Sequence, residues 1–125
     1  KLDVAGSAIF ALGETGDNRA TDVIVDLLSN SKIRWIKSVC VIILNKLKDP
    51  IALDVILDRL EHIAKSPKPK ITEGDKETEL MLCIKYVYAI KSQRNPRFLA
   101  ILTKLKDKQI QKKFQEREVT YINSL

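Results

Sequence analysis

The sequence predicts an all-α protein, a short stack of helix pairs. Three observations predict it. Apolar side chains recur at three- and four-residue spacing along almost the whole chain, no stretch sustains the two-residue alternation of a strand, and the chain repeats its own pattern. Its 125 residues, 45% of them hydrophobic, suit one compact domain with a real core. With 30% charged residues but only 4 Gly and 4 Pro, the profile is helical and not that of a disordered tail.

The first apolar stripe is Val4, Ala8, Ile9, Ala11 and Leu12, and Gly13 and Gly16 are expected to stop that helix. Asp17 or Asn18 can cap the next, whose stripe is Val23, Ile24, Leu27 and Leu28. The polar break Ser29-Asn30-Ser31 precedes a third helix marked by Ile33, Ile36, Cys40, Ile43, Leu44 and Leu47. Asp49 suits an N-cap and Pro50 a first helical position, opening a fourth helix with Leu53, Ile56, Leu57, Leu60 and Ile63. Ser66–Asp75, with two prolines and a glycine, reads as a loop. A fifth helix follows over about 77–91, with Leu80, Cys83, Ile84, Val87 and Ile90 inside. Asn95-Pro96 repeats the Asp49-Pro50 device and starts a sixth, with Phe98, Leu99, Ile101, Leu102 and Leu105. A last, more polar helix is expected over about 108–123.

A shift of 32 residues brings Leu12 onto Leu44, Asp17 onto Asp49, Ile24 onto Ile56 and Leu28 onto Leu60. A further shift of 46 brings Leu44 onto Ile90, Asp49 onto Asn95, Pro50 onto Pro96 and Ile56 onto Leu102. The longer second shift is assigned to a loop inserted at about 65–76. In Ala8–Leu28, the residues Ala11-Leu12-Gly13, Gly16-Asp17 and Ala20 resemble the short HEAT-like repeat first named from phycobilisome lyases. Ile36-Lys37 stands where that repeat has Val-Arg, and the third copy lacks both glycines. The resemblance covers about residues 2–106. It implies a short right-handed α-solenoid of about three and a half HEAT-like helix pairs, an armadillo-like superhelix. Each pair leaves an apolar face that only the next pair can bury. The whole chain, 1–125, is then one repeat domain, expected to be part of a longer solenoid. The edge around Val4–Leu12 is open to self-association.

No catalytic constellation stands out. The single histidine, His62, and the cysteines Cys40 and Cys83 do not converge in sequence as metal ligands do, and no cofactor is expected. One enzyme family on this fold, deoxyhypusine hydroxylase, binds iron through repeated His-Glu pairs, whereas this chain has only the reversed Glu61-His62. The GETG run from Gly13 to Gly16 lacks the length, the lysine and the preceding strand of a phosphate loop. Two free thiols suit a reducing compartment, read here as cytoplasmic, and no apolar run is long enough to span a membrane.

The functional expectation is therefore binding. The resemblance places the second helix of each pair on the concave side. On those helices Phe10, Ile42 and Tyr88 share a repeat position under the two shifts, with Trp35 near the rim, as candidates for holding a protein or peptide. Net charge is +6, unevenly placed: residues 1–31 carry −3 and the remainder +9. Lys32, Arg34, Lys37, Lys46, Lys85, Lys112, Lys113 and Arg117 form a candidate basic surface. Such a ladder can track a nucleic-acid backbone, as in HEAT-like DNA glycosylases. A bilin lyase or chaperone subunit is a further alternative, resting on the resemblance.

Overall fold

The computed structural model describes residues 4–17, 19–65 and 77–125, with side chains from Gly6 onward. The loop expected at Ser66–Asp75 and the alternative cap Asn18 lie outside the described residues. The helices are α1 (Val4–Glu14), α2 (Arg19–Asn30), α3 (Arg34–Leu47), α4 (Leu53–Lys65), α5 (Glu79–Ala89), α6 (Pro96–Leu105), α7 (Lys108–Gln111) and α8 (Glu116–Asn123). One 3-10 turn, Pro50–Ala52, leads into α4. No strand occurs among the described residues.

The helices form two layers. α1 packs on α3, α3 on α5, and α5 on α8, while α2 contacts α4 and α4 contacts α6. From α1 to α6, neighbours in a layer are thus two helices apart in sequence, which is the arrangement of a short helical repeat solenoid. The core runs along the joint between the layers. Ile24 and Leu28 on α2, Ile43 and Leu44 on α3, Ile56 and Leu60 on α4, Ile84 and Val87 on α5, and Phe98 and Leu105 on α6 are all buried in it. The Tyr86 hydroxyl donates to the Asp49 carbonyl and ties α5 to the turn before α4.

One turn design recurs. A residue with left-handed backbone ends the helix, and a carboxylate or amide then caps the next. Gly16 has φ 65°, and 32 residues later Lys48 has φ 54°. Asp17 Oδ1 accepts from the Arg19 amide at 2.9 Å, and Asp49 Oδ1 from the Ile51 amide at 3.1 Å. In the third copy Asn95 Oδ1 accepts from the Arg97 and Phe98 amides, at 2.9 and 3.2 Å. The equivalence of Asp17, Asp49 and Asn95 therefore holds in hydrogen bonding as well as in sequence.

The third copy departs in its turn. Its left-handed residue is Lys91, with φ 57°, four residues before the cap instead of one. The Lys91 amide donates to Tyr88 O at 3.0 Å and the Ser92 amide to Val87 O at 2.9 Å, a Schellman closure. The three extra residues change the register of α5 against α3 from 46 to 43. Under 43, Cys40 meets Cys83, Ile43 meets Tyr86 and Leu44 meets Val87, all six fully buried. Leu44 is thus matched by Val87, and not by the half-buried Ile90 that the sequence alignment paired with it. The α6 register shifts by one residue as well. The Ala20 and Ala52 amides close tight bonds to Asp17 O and Asp49 O three residues back, whereas Leu99 N reaches Asn95 O four back. Ile56 is consequently matched by Ile101, and both are buried.

Two further expectations change. The helix expected over about 108–123 is broken into α7 and α8 by a turn at Lys112–Gln115. There the Gln115 amide donates to Glu118 Oε1 at 3.0 Å and restarts the helix as half of a capping box. Gly13 does not stop α1, which continues to Glu14. Its role is close packing. A Cβ at Gly13 would stand 2.6 Å from Ile43 Cγ2, while one at Gly16 meets nothing within 4 Å.

These two glycines separate packing from backbone strain. Gly13→Ala should cost about 1–3 kcal/mol by overpacking against the fully buried Ile43. Gly16→Ala should cost about 1 kcal/mol through its left-handed backbone alone. Lys48→Gly should be stabilising, by up to about 1 kcal/mol, because the same backbone is there imposed on a lysine. Urea unfolding followed by far-UV circular dichroism measures all three. A stability loss for Lys48→Gly would contradict the shared turn design.

Candidate interaction surfaces

α3 lies between α1 and α5 and is buried along most of its circumference through Ile36, Val39, Cys40, Val41, Ile43 and Leu44. Among the residues it leaves at least partly open, Trp35, Ser38, Ile42 and Lys46 recur at helical spacing and form one strip. Trp35 is 38% exposed at the start of that strip. Ile42 is half-buried and packs on the core. Lys46 Nζ sits 5.8 Å from the centre of the Phe10 ring and 3.4 Å from Glu14 Oε1. Phe10, half-buried beneath that cation, therefore belongs to the joint between α1 and α3.

Tyr88 is 39% exposed and meets Phe98 of α6 edge-on, with ring centres 6.0 Å apart and planes at 86°. Burial first, and then Tyr88, push the Tyr121 phenol of α8 above its ordinary range. Tyr88 is thus part of the joint at the end of α5. In the register of 43 the residue matching Ile42 is Lys85, which is paired with Glu77. The alignment of Phe10, Ile42 and Tyr88 on one repeat position is corrected accordingly. Phe10 and Ile42 remain equivalent, and Tyr88 matches Asn45.

The basic residues form separate groups. Lys32, Arg34 and Lys37 gather where the α2–α3 turn meets α4, Lys46 lies at the other end of α3, and Lys85 is held by Glu77. Lys112 and Lys113 stand in the turn before α8, and Arg117 is on α8 itself. Lys112 donates to Gln109 Oε1 at 3.2 Å, and Arg117 Nε to Gln115 Oε1 at 3.0 Å.

The first group surrounds a hollow. A cavity of about 220 Å³ between α2, α3 and α4 is lined by Ser29, Lys37, Asp58, Arg59 and His62, with Leu28 and Val55 beneath. It adjoins a wider depression of about 380 Å³ that brings in Ser31, Lys32 and Arg34. Lys32, Arg34 and Lys37 are among the basic residues expected at a surface, and Arg59 joins them here. That guanidinium is 8% exposed and paired with Glu79, itself 1% exposed. Arg59 Nη2 donates to Glu79 Oε1 at 3.1 Å, Nε donates to Oε2, and the Ser38 hydroxyl lies 3.4 Å from Oε1. Burial acts to lower the Arg59 pKa, but the hydrogen bond and charge of Glu79 outweigh it and leave the group above its ordinary range. Asp58 is engaged by Arg97 of α6, which also holds Glu61. The Arg97 hydrogen bond draws the Glu61 carboxyl below its usual range.

Cys40 and Cys83 are free and buried. Burial pushes the Cys40 thiol up to about 11 and Cys83 well above its usual value, which disfavours the reactive thiolate in both. Among the described residues no group of three or more His, Cys, Asp or Glu side chains is placed to hold a metal ion. No helix among them is long and apolar enough to cross a membrane.

Comparison with known families bears on the first two helices. Residues 4–30, which comprise α1, the Gly16-Asp17 turn and α2, match the PBS lyase HEAT-like repeat. These two helices are similar to a HEAT-like repeat. No curated protein and no solved structure matches the chain. Within the matched residues, Gly13 and the Gly16-Asp17 turn have identifiable work. The first admits Ile43 of the next repeat, and the second closes one helix and caps another.

The buried pair is open to a direct test. Arg59 stands where the first repeat has Leu27, 32 residues earlier. Glu79→Ala should destabilise the fold by about 3–5 kcal/mol, because an unpaired guanidinium stays buried. Replacing both partners together, Arg59→Leu with Glu79→Met, should recover most of that loss. Equal losses in the single and double variants, measured by urea unfolding, would show that the pair is not what Arg59 requires.

Proposed function

We propose that this protein is a non-catalytic interaction module, which holds a protein or peptide partner on the open strip of α3 and the neighbouring surfaces of α1 and α5. A HEAT-like repeat marks a helical repeat scaffold or interaction module, and the finer reading adds where the partner sits. The single observation that carries it is Trp35. The only tryptophan of the chain is more than one-third exposed, at the head of a strip that continues through Ile42. Tryptophan offers a large contact area at low entropic cost and is enriched at the centres of protein interfaces. Phe10 supports the strip from below, while Tyr88 supplies a second exposed aromatic surface at the far end of α5.

The test compares Trp35→Glu with Leu99→Glu in quantitative affinity capture from cell extract. Leu99 is an apolar residue still more exposed than Trp35, but it lies on α6 in the other layer. Trp35→Glu should deplete a defined set of captured proteins several-fold, with the helical spectrum unchanged, while Leu99→Glu retains them. Unaltered capture by Trp35→Glu, or the same loss from both variants, would remove the strip as the binding surface.

A further inference from the structure

We propose that the hollow between the α2–α3 turn and the second half of α4 binds a phosphate monoester, presented as a phosphorylated side chain of a partner protein. The proposal goes beyond the reading above and does not require it, since a phosphate site on α2, α3 and α4 stands whether or not Trp35 anchors anything.

The first argument is uncompensated charge in a concave place. Lys37 and Arg59 line both parts of the hollow, and Lys32 and Arg34 rim the wider part. The acidic groups nearby are already engaged. Glu79 neutralises Arg59, and Arg97 is shared between Asp58 and Glu61. Lys32, Arg34 and Lys37 have no ion-pair partner among the described residues, so positive charge stays in excess in one small volume even with Asp58 on its wall. Gathering like charges is costly unless an anion joins them. The second argument is donor chemistry. Arg59 uses Nε and Nη2 on Glu79, and its Nη1 makes no hydrogen bond among the described residues. Ser29 and Ser31 add hydroxyls to the lining. This is an assembly suited to the several acceptor oxygens of a phosphate dianion.

The start of α3 adds to this. Asp17, Asp49, Thr78, Asn95 and Asp107 cap the helical segments that follow them by accepting from a backbone amide. The N-cap of α3 is Ile33, whose side chain cannot accept a hydrogen bond. The positive end of a 14-residue helix is therefore left without a side-chain acceptor at Arg34, on the rim of the hollow. Ile33 and Trp35 flank Arg34 and are both exposed, which supplies apolar surface for the residues beside a phosphate.

A point site fits better than a nucleic-acid track. Backbone tracking requires a continuous run of available cations. Here Lys46 is engaged by Glu14 at the opposite end of α3, Lys85 is engaged by Glu77, and the C-terminal basic residues stand in the α7–α8 region.

The experiment titrates the full chain into a fluorescein-labelled Gly/Ala peptide with one central phosphoserine. Parallel arms use its unphosphorylated twin and a 5′-phosphorylated single-stranded oligonucleotide, and inorganic phosphate serves as competitor. The phosphopeptide should bind at least about tenfold more tightly than its twin, and inorganic phosphate should displace it. Arg34→Glu or Lys37→Glu should each weaken binding by roughly tenfold, and Lys37→Arg should retain it. Lys112→Glu makes the same charge change away from the hollow and should leave the affinity unchanged. Circular dichroism confirms that each variant is folded. Equal affinity for the two peptides, including no binding of either up to millimolar protein, overturns the proposal. An equal loss from Lys112→Glu also overturns it, because the effect is then net charge. Tighter binding of the oligonucleotide that inorganic phosphate does not displace assigns the surface to nucleic acid and overturns it too.

Discussion

The structure depends on how the chain reverses between its layers. At each reversal one residue takes the left-handed backbone, and the residue capping the next helix follows. Gly16, Lys48 and Lys91 do the first job, and Asp17, Asp49 and Asn95 do the second. The left-handed residue lets the helix close on its last carbonyls, and the cap takes the first free amides of the helix that starts. Because the reversal fixes where a helix ends, it also fixes which side chains fall in the layer joint. Leu44 and Val87 each stand four residues before the left-handed position, and both are fully buried. Register within the layer is therefore set from the C-terminal end of each helix. A turn can lengthen, as between Lys91 and Asn95, without disturbing the helix before it.

That rule explains what the sequence made legible. Helical periodicity located the six longer helices through α6, because amphipathic spacing is a local property. Equivalence of the caps was legible too, since Asp and Asn before Pro or at a helix start carry a chemical signature. The register of α5 was not. Aligning on Asn95 assumes that cap and helix move together, and the three extra residues separate them. Burial corrects the register, but burial is a tertiary quantity. The break of the last helix was also hidden, because Lys112–Gln115 contains no proline or glycine. It is fixed by the Glu118 carboxylate turning back to the Gln115 amide. The role of Gly13 is hidden for a related reason. Glycine near a helix end looks like a terminator, whereas here it admits a side chain from the neighbouring helix.

The same limits apply to the surfaces. Basic residues could be assigned to helices, but whether a lysine is free depends on its neighbours in space. Lys46 and Lys85 are engaged by Glu14 and Glu77, while Lys32, Arg34 and Lys37 are left together by the α2–α3 turn. Aromatic residues behave similarly. Phe10 lies in the joint between α1 and α3, whereas the packing leaves Trp35 at the start of α3 and Tyr88 at the end of α5 each more than one-third exposed. An array in which each helix is covered on two sides has little surface to spare on its middle members. What function it has must use the remaining strips and the hollows where turns meet helices.

Arg59 connects these two kinds of surface. Its place in the repeat is occupied by an apolar residue in the first copy, Leu27, and a buried ion pair contributes little net stability compared with such a residue. The departure is therefore not explained by the needs of the core. Glu79 matches Ile36 in the register of α5, so both halves of the pair replace apolar residues at repeat positions, and the two changes make sense only together. Their combined result is a guanidinium held rigidly by one carboxylate at the wall of the hollow, with α4 and α5 fixed to each other at the same point. A local rule broken twice, with compensation, is the pattern expected where a fold has been adapted to a site.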